Sequence, residues 1–257
     1  MIKKILKISL IAVLWLGLWQ ILAMIVGQEL LLPTPVTVAK RLLEMSLSAS
    51  FYRIIARSLI RMLAGIIAGT AVGILGGSLT AFSRTARDIF APLLAVIKAT
   101  PVASFIILLV LYVSRDSAPL IIALMMVSPI VWTGVEAGIL NTDKELLEMS
   151  DAYKMSALSK IKHLYIPSAT PYFLASLRSS LGMAWKAGIA AEVLLGPIIS
   201  IGKMISDSKL LLETTDLFAW TAVVVILSVI IEKSTFFALK KALNKHSFDE
   251  KGGVALG

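Results

Sequence analysis

Cysteine is missing altogether from these 257 residues, and histidine occurs only at His163 and His246. Without a thiol there is no disulfide framework, no thiolate metal site and no cysteine nucleophile, and two distant imidazoles leave little for histidine chemistry. No Glu-x-x-His or His-x-x-x-His pair offers a buried metal two ligands from one helix face. No Gly-x-x-x-x-Gly-Lys-Ser/Thr phosphate loop is present either, which leaves out a nucleotide site of that kind in this sequence. Charge is scarce as well: Asp, Glu, Lys and Arg make up 16% of the chain, against about 25% in typical soluble domains.

Apolar residues fill the space instead, at 58% of the chain with a mean hydropathy of +0.88. That composition excludes a disordered chain, a coiled coil and an ordinary soluble enzyme, and it points to a protein solvated by lipid. The formal charge is +9. In a soluble protein it would suggest nucleic acid as a partner. Here the basic residues stand beside apolar runs, which is the pattern of membrane helices with basic flanks.

A bilayer core takes about 20 apolar residues of helix to cross. Six stretches qualify: Ile5–Val26, Ile60–Phe82, Ile89–Val113, Pro119–Leu140, Ala169–Leu195 and Leu217–Leu239. No internal repeat relates them. The first follows Lys3, Lys4 and Lys7 like a secretion signal, but its apolar run is too long and no small-residue cleavage site follows, so it reads as a retained helix. Six spans put both termini on one side. Thirteen Lys and Arg fall in the segments on that side and eight on the other, which places both ends in the cytoplasm. The discordant group is Lys40, Arg41, Arg53, Arg57 and Arg61, expected as a helix lying along the interface.

Within the second span Gly65, Gly69, Gly73 and Gly77 recur every fourth residue. This spacing cuts a groove down one helix face, and it reads as a helix-packing seam, because close backbone approach is what holds helices together in lipid. Pro101 and Pro129 fall inside the third and fourth spans and predict kinks there, whereas Pro119 and Pro171 sit near helix starts.

Ionisable residues at membrane depth cost several kcal/mol unless paired or wet. Glu136, Arg178, Glu232 and Lys233 can reach a membrane surface by snorkelling. Lys98, Lys186 and Glu192 lie deeper. Lys186 and Glu192 are about 120° apart around a helix, so at least one of them takes its partner from another element. Two readings stand side by side: an interhelical ion pair, or the lining of a solute path. Lys98, Pro101, Trp185, Lys186 and Glu192 are the candidates for that path.

Between the fourth and fifth spans runs NTDKELLEMSDAYKMSALSKIKHLYIPSATPYF. Thr142 and Glu145 have capping-box spacing, and Asp143 adds negative charge at a helix N-terminus. Leu146, Met149, Tyr153, Leu158 and Ile161 follow at near-helical spacing, with one slip at Met155–Ser156. The pattern predicts two short helices with a corner, too short and polar to span. Their apolar stripe needs a surface to pack on, either the ends of the bundle or a partner protein.

This loop resembles the EAA loop of ABC importer permeases, the binding-protein-dependent type I family. Glu148-Met149-Ser150 stands at E-A-A, Pro167 at the proline of the pattern, and Lys154 where glycine is usual. Leu31–Val38, Ser58–Gly77, Lys98–Ser104 and Leu181–Leu194 look like the nitrate/sulfonate/taurine branch, so the likeness covers nearly the whole chain in order. It implies an all-α, polytopic fold of six transmembrane helices with a cytoplasmic coupling helix. The expected segments are 1–57 (first helix and external or interfacial segment), 58–241 (the transmembrane domain, with the EAA-like loop at 142–167) and 242–257 (a cytoplasmic tail).

The likeness also implies a job in the cell membrane. Two permease subunits, as a homodimer, form a pathway for a small solute delivered by an external binding protein. Two ATPase subunits, which bind the ATP and Mg, drive it. The chain itself binds no cofactor or metal and is not an enzyme. By the resemblance Glu148, Met149, Ser150, Asp151, Ala152, Lys154 and Ser156 form the ATPase-docking surface. The implied solute is a small organic or inorganic anion or a vitamin precursor. Two rivals fit less well. A membrane-embedded enzyme would need acid, base or metal groups converging at one depth. A secondary transporter would leave the amphipathic loop without a job.

Overall fold

The structure is a computed structural model that describes the backbone of residues 2–252 and the side chains of residue 6 and residues 9–235. The tail expected over 242–257, and the Lys3, Lys4, Lys7, Lys240, Lys241, Lys245 and Lys251 side chains of the topology count, lie outside the described side chains.

Every regular element among the described residues is helical. In chain order these are α1 (Ile2–Val26), α2 (Pro35–Ser46), α3 (Ala49–Phe82), α4 (Arg84–Ala99), α5 (Val102–Tyr112), α6 (Ala118–Leu140), α7 (Lys144–Ala152) and α8 (Ala157–Lys160). A π-helical turn (Ile161–Tyr165) leads into α9 (Ile166–Leu195), followed by α10 (Ile201–Leu210) and α11 (Thr214–Gly252). By contacts the chain divides into two units, Met1–Leu59 with Glu192–Ile226, and Ile60–Ala191 with Leu227–Gly257.

In the first unit, Thr34 caps α2 by accepting the Thr37 N–H at 3.2 Å, with Pro35 at the helix start. Arg41 on α2 clamps Asp216 on α11 with two parallel bonds, Nε to Oδ1 at 2.6 Å and Nη2 to Oδ2 at 2.8 Å. Hydrogen bonding to Asp216 pushes the Arg41 guanidinium further above its ordinary pKa, against the opposing effect of burial. The guanidinium therefore keeps its charge in the folded protein. Phe51 packs on Trp220 at 5.3 Å between ring centres, and Trp19 on Phe218 at 5.7 Å. The basic stretch Lys40–Arg61 is not one interfacial helix: Leu47 and Ser48 divide it between α2 and α3.

The second unit is built around α6. Of the residues in its most apolar stretch 61% are buried, against 6% for α1. The α3 glycines meet it face to face. A Cβ at Gly69 would lie 2.8 Å from the Leu124 carbonyl oxygen, and one at Gly73 2.7 Å from the Val131 Cβ. Gly65 lies against Leu120, and Gly76 and Gly77 against Trp132. Gly134 and Gly138 of α6 admit α9 in the same way, against Ser176 and Ala169. Arg61, near the start of this unit, holds Asp116 at 2.7 Å.

Among the described residues, four continuous helices contain stretches long and apolar enough to cross a membrane unaided: Ser9–Val26, Ala49–Phe82, Ala118–Leu140 and Thr214–Thr235. The expected third span is not a single helix. It is α4 and α5, bent by 103° at Thr100 and Pro101. Pro101 caps α5 instead of kinking a continuous helix, and Thr100 before it takes an extended conformation (φ −76°, ψ 128°), as residues preceding proline do. Pro129, by contrast, is accommodated inside unbroken α6. The expected fifth span lies within α9, which at 30 residues is long enough but carries Arg178, Lys186 and Glu192.

Candidate functional site: a capped loop helix and the intramembrane charges

The α6–α9 loop folds as two short helices with a corner, each fixed by local bonds. The cap of α7 lies one residue beyond the expected Thr142. Thr142 is buried and donates its hydroxyl to the Ile139 carbonyl at 2.8 Å, while the Asp143 carboxylate caps the helix by accepting the Glu145 N–H at 2.8 Å. The C-terminal end closes in a Schellman turn: the Met155 N–H donates to the Ser150 carbonyl at 2.9 Å and the Lys154 N–H to that of Asp151 at 3.0 Å. Such a turn requires a left-handed residue, and Lys154 supplies it at φ +52°. This is the position at which the family pattern carries glycine, and the left-handed backbone is the physical reason it does.

Beyond the corner Ser156 caps α8 by accepting the Ser159 N–H at 3.3 Å, and Lys160 pairs with Asp151, tying the second helix back to the first. Glu148, Met149, Asp151, Ala152, Lys154 and Ser156 are exposed, as are the large apolar groups Leu146, Tyr153 and Leu158. Ser150 differs from the rest of the expected docking set. It is buried, and its hydroxyl donates to the Leu147 carbonyl at 2.7 Å, so it serves the inner face of α7. At the root of the loop Tyr165 meets the Phe82 ring edge-on, with 5.1 Å between centres.

Several charges at membrane depth are paid off locally by partners. Arg87 pairs with Glu136 at 2.7 Å and donates to the Thr80 carbonyl at 3.0 Å, while Trp132 Nε1 donates to the Thr80 hydroxyl at 3.0 Å. Glu192 is fully buried: Ser58 Oγ donates to its Oε2 at 2.7 Å and the Gly202 N–H at 3.2 Å, with the Ile201 N–H bonded to Ser58 at 3.0 Å. Its partners thus come from other elements, and it ties α9, α3 and α10 together instead of facing an open cavity.

Lys98 and Lys186 behave differently. Both are exposed, and among the described residues neither makes a hydrogen bond or an ion pair. Lys98 faces a cavity of about 320 Å³ that also contains Arg87, Glu136 and Thr133. Lys186 faces another of about 350 Å³, beside Trp185, Arg178, Ser179, Ser228, Glu232 and Thr235. Pro101 stands at the α4–α5 bend and lines neither cavity. Among the described residues no cluster of His, Asp and Glu could hold a metal ion. Sequence reasoning missed the Arg41–Asp216, Arg61–Asp116 and Arg87–Glu136 pairs. The signal was there as opposite charges in apolar surroundings, but their pairing depends on tertiary structure.

Long apolar helices packed through glycine seams define a multi-pass membrane protein. Residues 65–246 match the family described as binding-protein-dependent transport system inner membrane component, and the chain belongs to it. The putative aliphatic sulfonates transport permease protein SsuC of Bacillus subtilis is 30% identical, over 79% of this chain and 74% of its own length. The taurine transport system permease protein TauC of Escherichia coli is 26% identical over 88% and 84%. The nitrate import permease protein NrtB of Synechocystis is 29% identical over 80% and 77%.

Among solved structures, an amino acid ABC transporter aligns with a TM-score of 0.58 at 15% identity, covering 75% of this chain and 93% of that one. The inward-facing MetNI methionine ABC transporter aligns at 0.56 and 15%, covering 74% and 93%. This protein is accordingly an all-α permease subunit of an ABC importer, a multi-pass inner-membrane protein and not an enzyme. Membership of the family implies ATPase and binding-protein partners.

Proposed function

We propose that this permease couples to its ATPase through α7 and carries a small anion past Lys98 and Lys186. The observation that carries the reading is the build of α7: a short helix capped at both ends and fastened to α8, which presents Glu148, Met149, Asp151 and Ala152 outward. A helix fixed in this way passes on rigid-body motion instead of absorbing it. ATP and Mg then bind to two copies of a separate ATPase, whose closure pulls α7 and switches access to the pathway. Two copies of this chain form that pathway, with both termini in the cytoplasm. The first segment is 1–57, the transmembrane domain 58–241 and the tail 242–257. The anion preference rests on two cations, Lys98 and Lys186, that face cavities and make no hydrogen bond or ion pair among the described residues. The names of the sulfonate, taurine and nitrate relatives agree with it.

Glu148→Arg tests the coupling. In membranes containing the assembled transporter, uptake falls at least about tenfold while the amount and thermal stability of the permease stay at wild-type values. Normal uptake in that variant would remove α7 from the coupling path.

A further inference from the structure

The basic residues between Lys40 and Arg61 divide into two groups. Arg41 and Arg61 are engaged inside the fold, on Asp216 and Asp116. Lys40 on α2 and Arg53 and Arg57 on α3 are exposed, and among the described residues they make no hydrogen bond or ion pair. The nearest carboxylates in the chain are taken, Glu44 by Arg41 and Glu29 by the Thr37 hydroxyl. Arg53 and Arg57 are four residues apart, so they leave the same face of α3 about 6 Å apart along its axis. On α2 the exposed residues Val36, Lys40, Leu43 and Leu47 recur at helical spacing, which makes an apolar stripe with a cation inside it.

The length of α3 sets the depth of these groups. The helix has 34 residues, and its part from Met62 to Phe82 carries no Asp, Glu, Lys or Arg. At 1.5 Å per residue that part is about 30 Å long, the thickness of a hydrocarbon core. Arg57 and Arg53 follow about 8 and 14 Å further along the axis, where long basic side chains snorkel to lipid phosphates. Beside them Tyr52 is exposed, an aromatic type enriched at that level. The α2 helix lies between the end of the α1 span at Val26 and the start of α3, and so belongs to the same end of the membrane.

We propose that the α2–α3 corner is a binding site for an anionic phospholipid. Arg53 and Arg57 hold the headgroup phosphate, Lys40 adds positive charge, and the exposed stripe of α2 lies against the upper acyl chains. A guanidinium offers a phosphate two parallel charge-assisted bonds, and two of them one turn apart can share its oxygens. A helix with an apolar stripe and basic side chains rests in the plane of the interface. The depth selects lipid over a protein partner, and so do cations set among apolar side chains with no free acid beside them. A headgroup with net negative charge is favoured over a zwitterionic one, whose own ammonium or choline is repelled by the same three cations.

Competition between two lipids tests the site. The full-length chain in an uncharged detergent receives equal amounts of phosphatidylglycerol and phosphatidylcholine with the same acyl chains, and native mass spectrometry counts the lipids bound. The wild type prefers phosphatidylglycerol about tenfold, and high salt shrinks the preference. Arg53→Gln with Arg57→Gln removes it at an unchanged thermal midpoint. Arg53→Lys with Arg57→Lys keeps most of it, which guards against a variant that only unfolds. Lys144→Gln with Lys162→Gln takes the same charge from the α6–α9 loop and leaves the preference at the wild-type value. Equal binding of the two lipids by the wild type overturns the site. So does a preference that survives Arg53→Gln with Arg57→Gln, or one lost equally in the loop variant. If the wild type shows no preference while Arg53→Gln with Arg57→Gln lowers uptake by the assembled transporter, the surface serves a partner protein and the lipid site is refuted.

Discussion

Lys154 holds a left-handed conformation, φ +52°, that a residue with a Cβ adopts at a cost of about 1 kcal/mol relative to glycine. Two backbone bonds of the Schellman turn hold it there. Lys154→Gly therefore stabilises the protein by about 0.5–1 kcal/mol, seen as a rise in the thermal midpoint of the purified chain. An unchanged or lower midpoint would mean that the lysine side chain contributes more than the strain removes. At the opposite extreme stands Glu192, a carboxylate that no water reaches and that Ser58 and Gly202 hold. Glu192→Leu leaves the Ser58 hydroxyl and the Gly202 N–H without this acceptor and costs about 2–4 kcal/mol, measured as loss of folded protein on heating in detergent. The departure at Lys154 was legible from the family pattern. The burial of Glu192 was not, because its partner Ser58 lies 134 residues away.

Among the elements, α3 shows how a pattern in sequence becomes a contact. Four-residue glycine spacing pointed to a seam, and the structure seats Gly69 against the Leu124 backbone. Gly17 in α1 has nothing within 4 Å. The same substitution at the two sites then has opposite signs. Gly69→Ala destabilises by about 1–3 kcal/mol, because its Cβ meets main chain that cannot move aside. Gly17→Ala stabilises by up to about 1 kcal/mol through helix propensity alone. Parallel melting of both variants checks the pair. The α4–α5 element was harder to read. Proline marks a break without setting its angle, and composition alone runs residues 89–113 together as one apolar stretch. The helix cap at Asp143 illustrates a finer limit: Thr142 and Asp143 are both good caps, and Thr142 is drawn inward by the Ile139 carbonyl.

For the whole molecule, the scarce charge falls into three uses. Some of it fastens elements, as in Arg41–Asp216, Arg61–Asp116 and Arg87–Glu136. Some decorates the α7–α8 loop. Lys98, Lys186 and Glu232 are exposed to cavities and have no partner among the described residues. The apolar class, the helical spans and the loop were readable because they depend on local composition and periodicity. The division between fastening and free charge depends on which helices meet, which the sequence does not carry position by position. At this scale Lys98→Met and Lys186→Met together reduce uptake of an anionic solute by about tenfold or more without changing assembly. Unaltered transport in the double variant would dissociate both lysines from the pathway.

The absence of cysteine makes the central claim open to direct measurement, since any introduced thiol is unique. Met149→Cys places one on the exposed face of α7, and Leu47→Cys places one between α2 and α3. With the assembled transporter and an ATPase carrying a single cysteine in its docking groove, a short thiol cross-linker joins the Met149→Cys chain to the ATPase in a nucleotide-dependent manner and leaves the Leu47→Cys chain uncoupled. Cross-linking at Leu47→Cys and none at Met149→Cys would contradict both the coupling role of α7 and the orientation of the chain in the membrane.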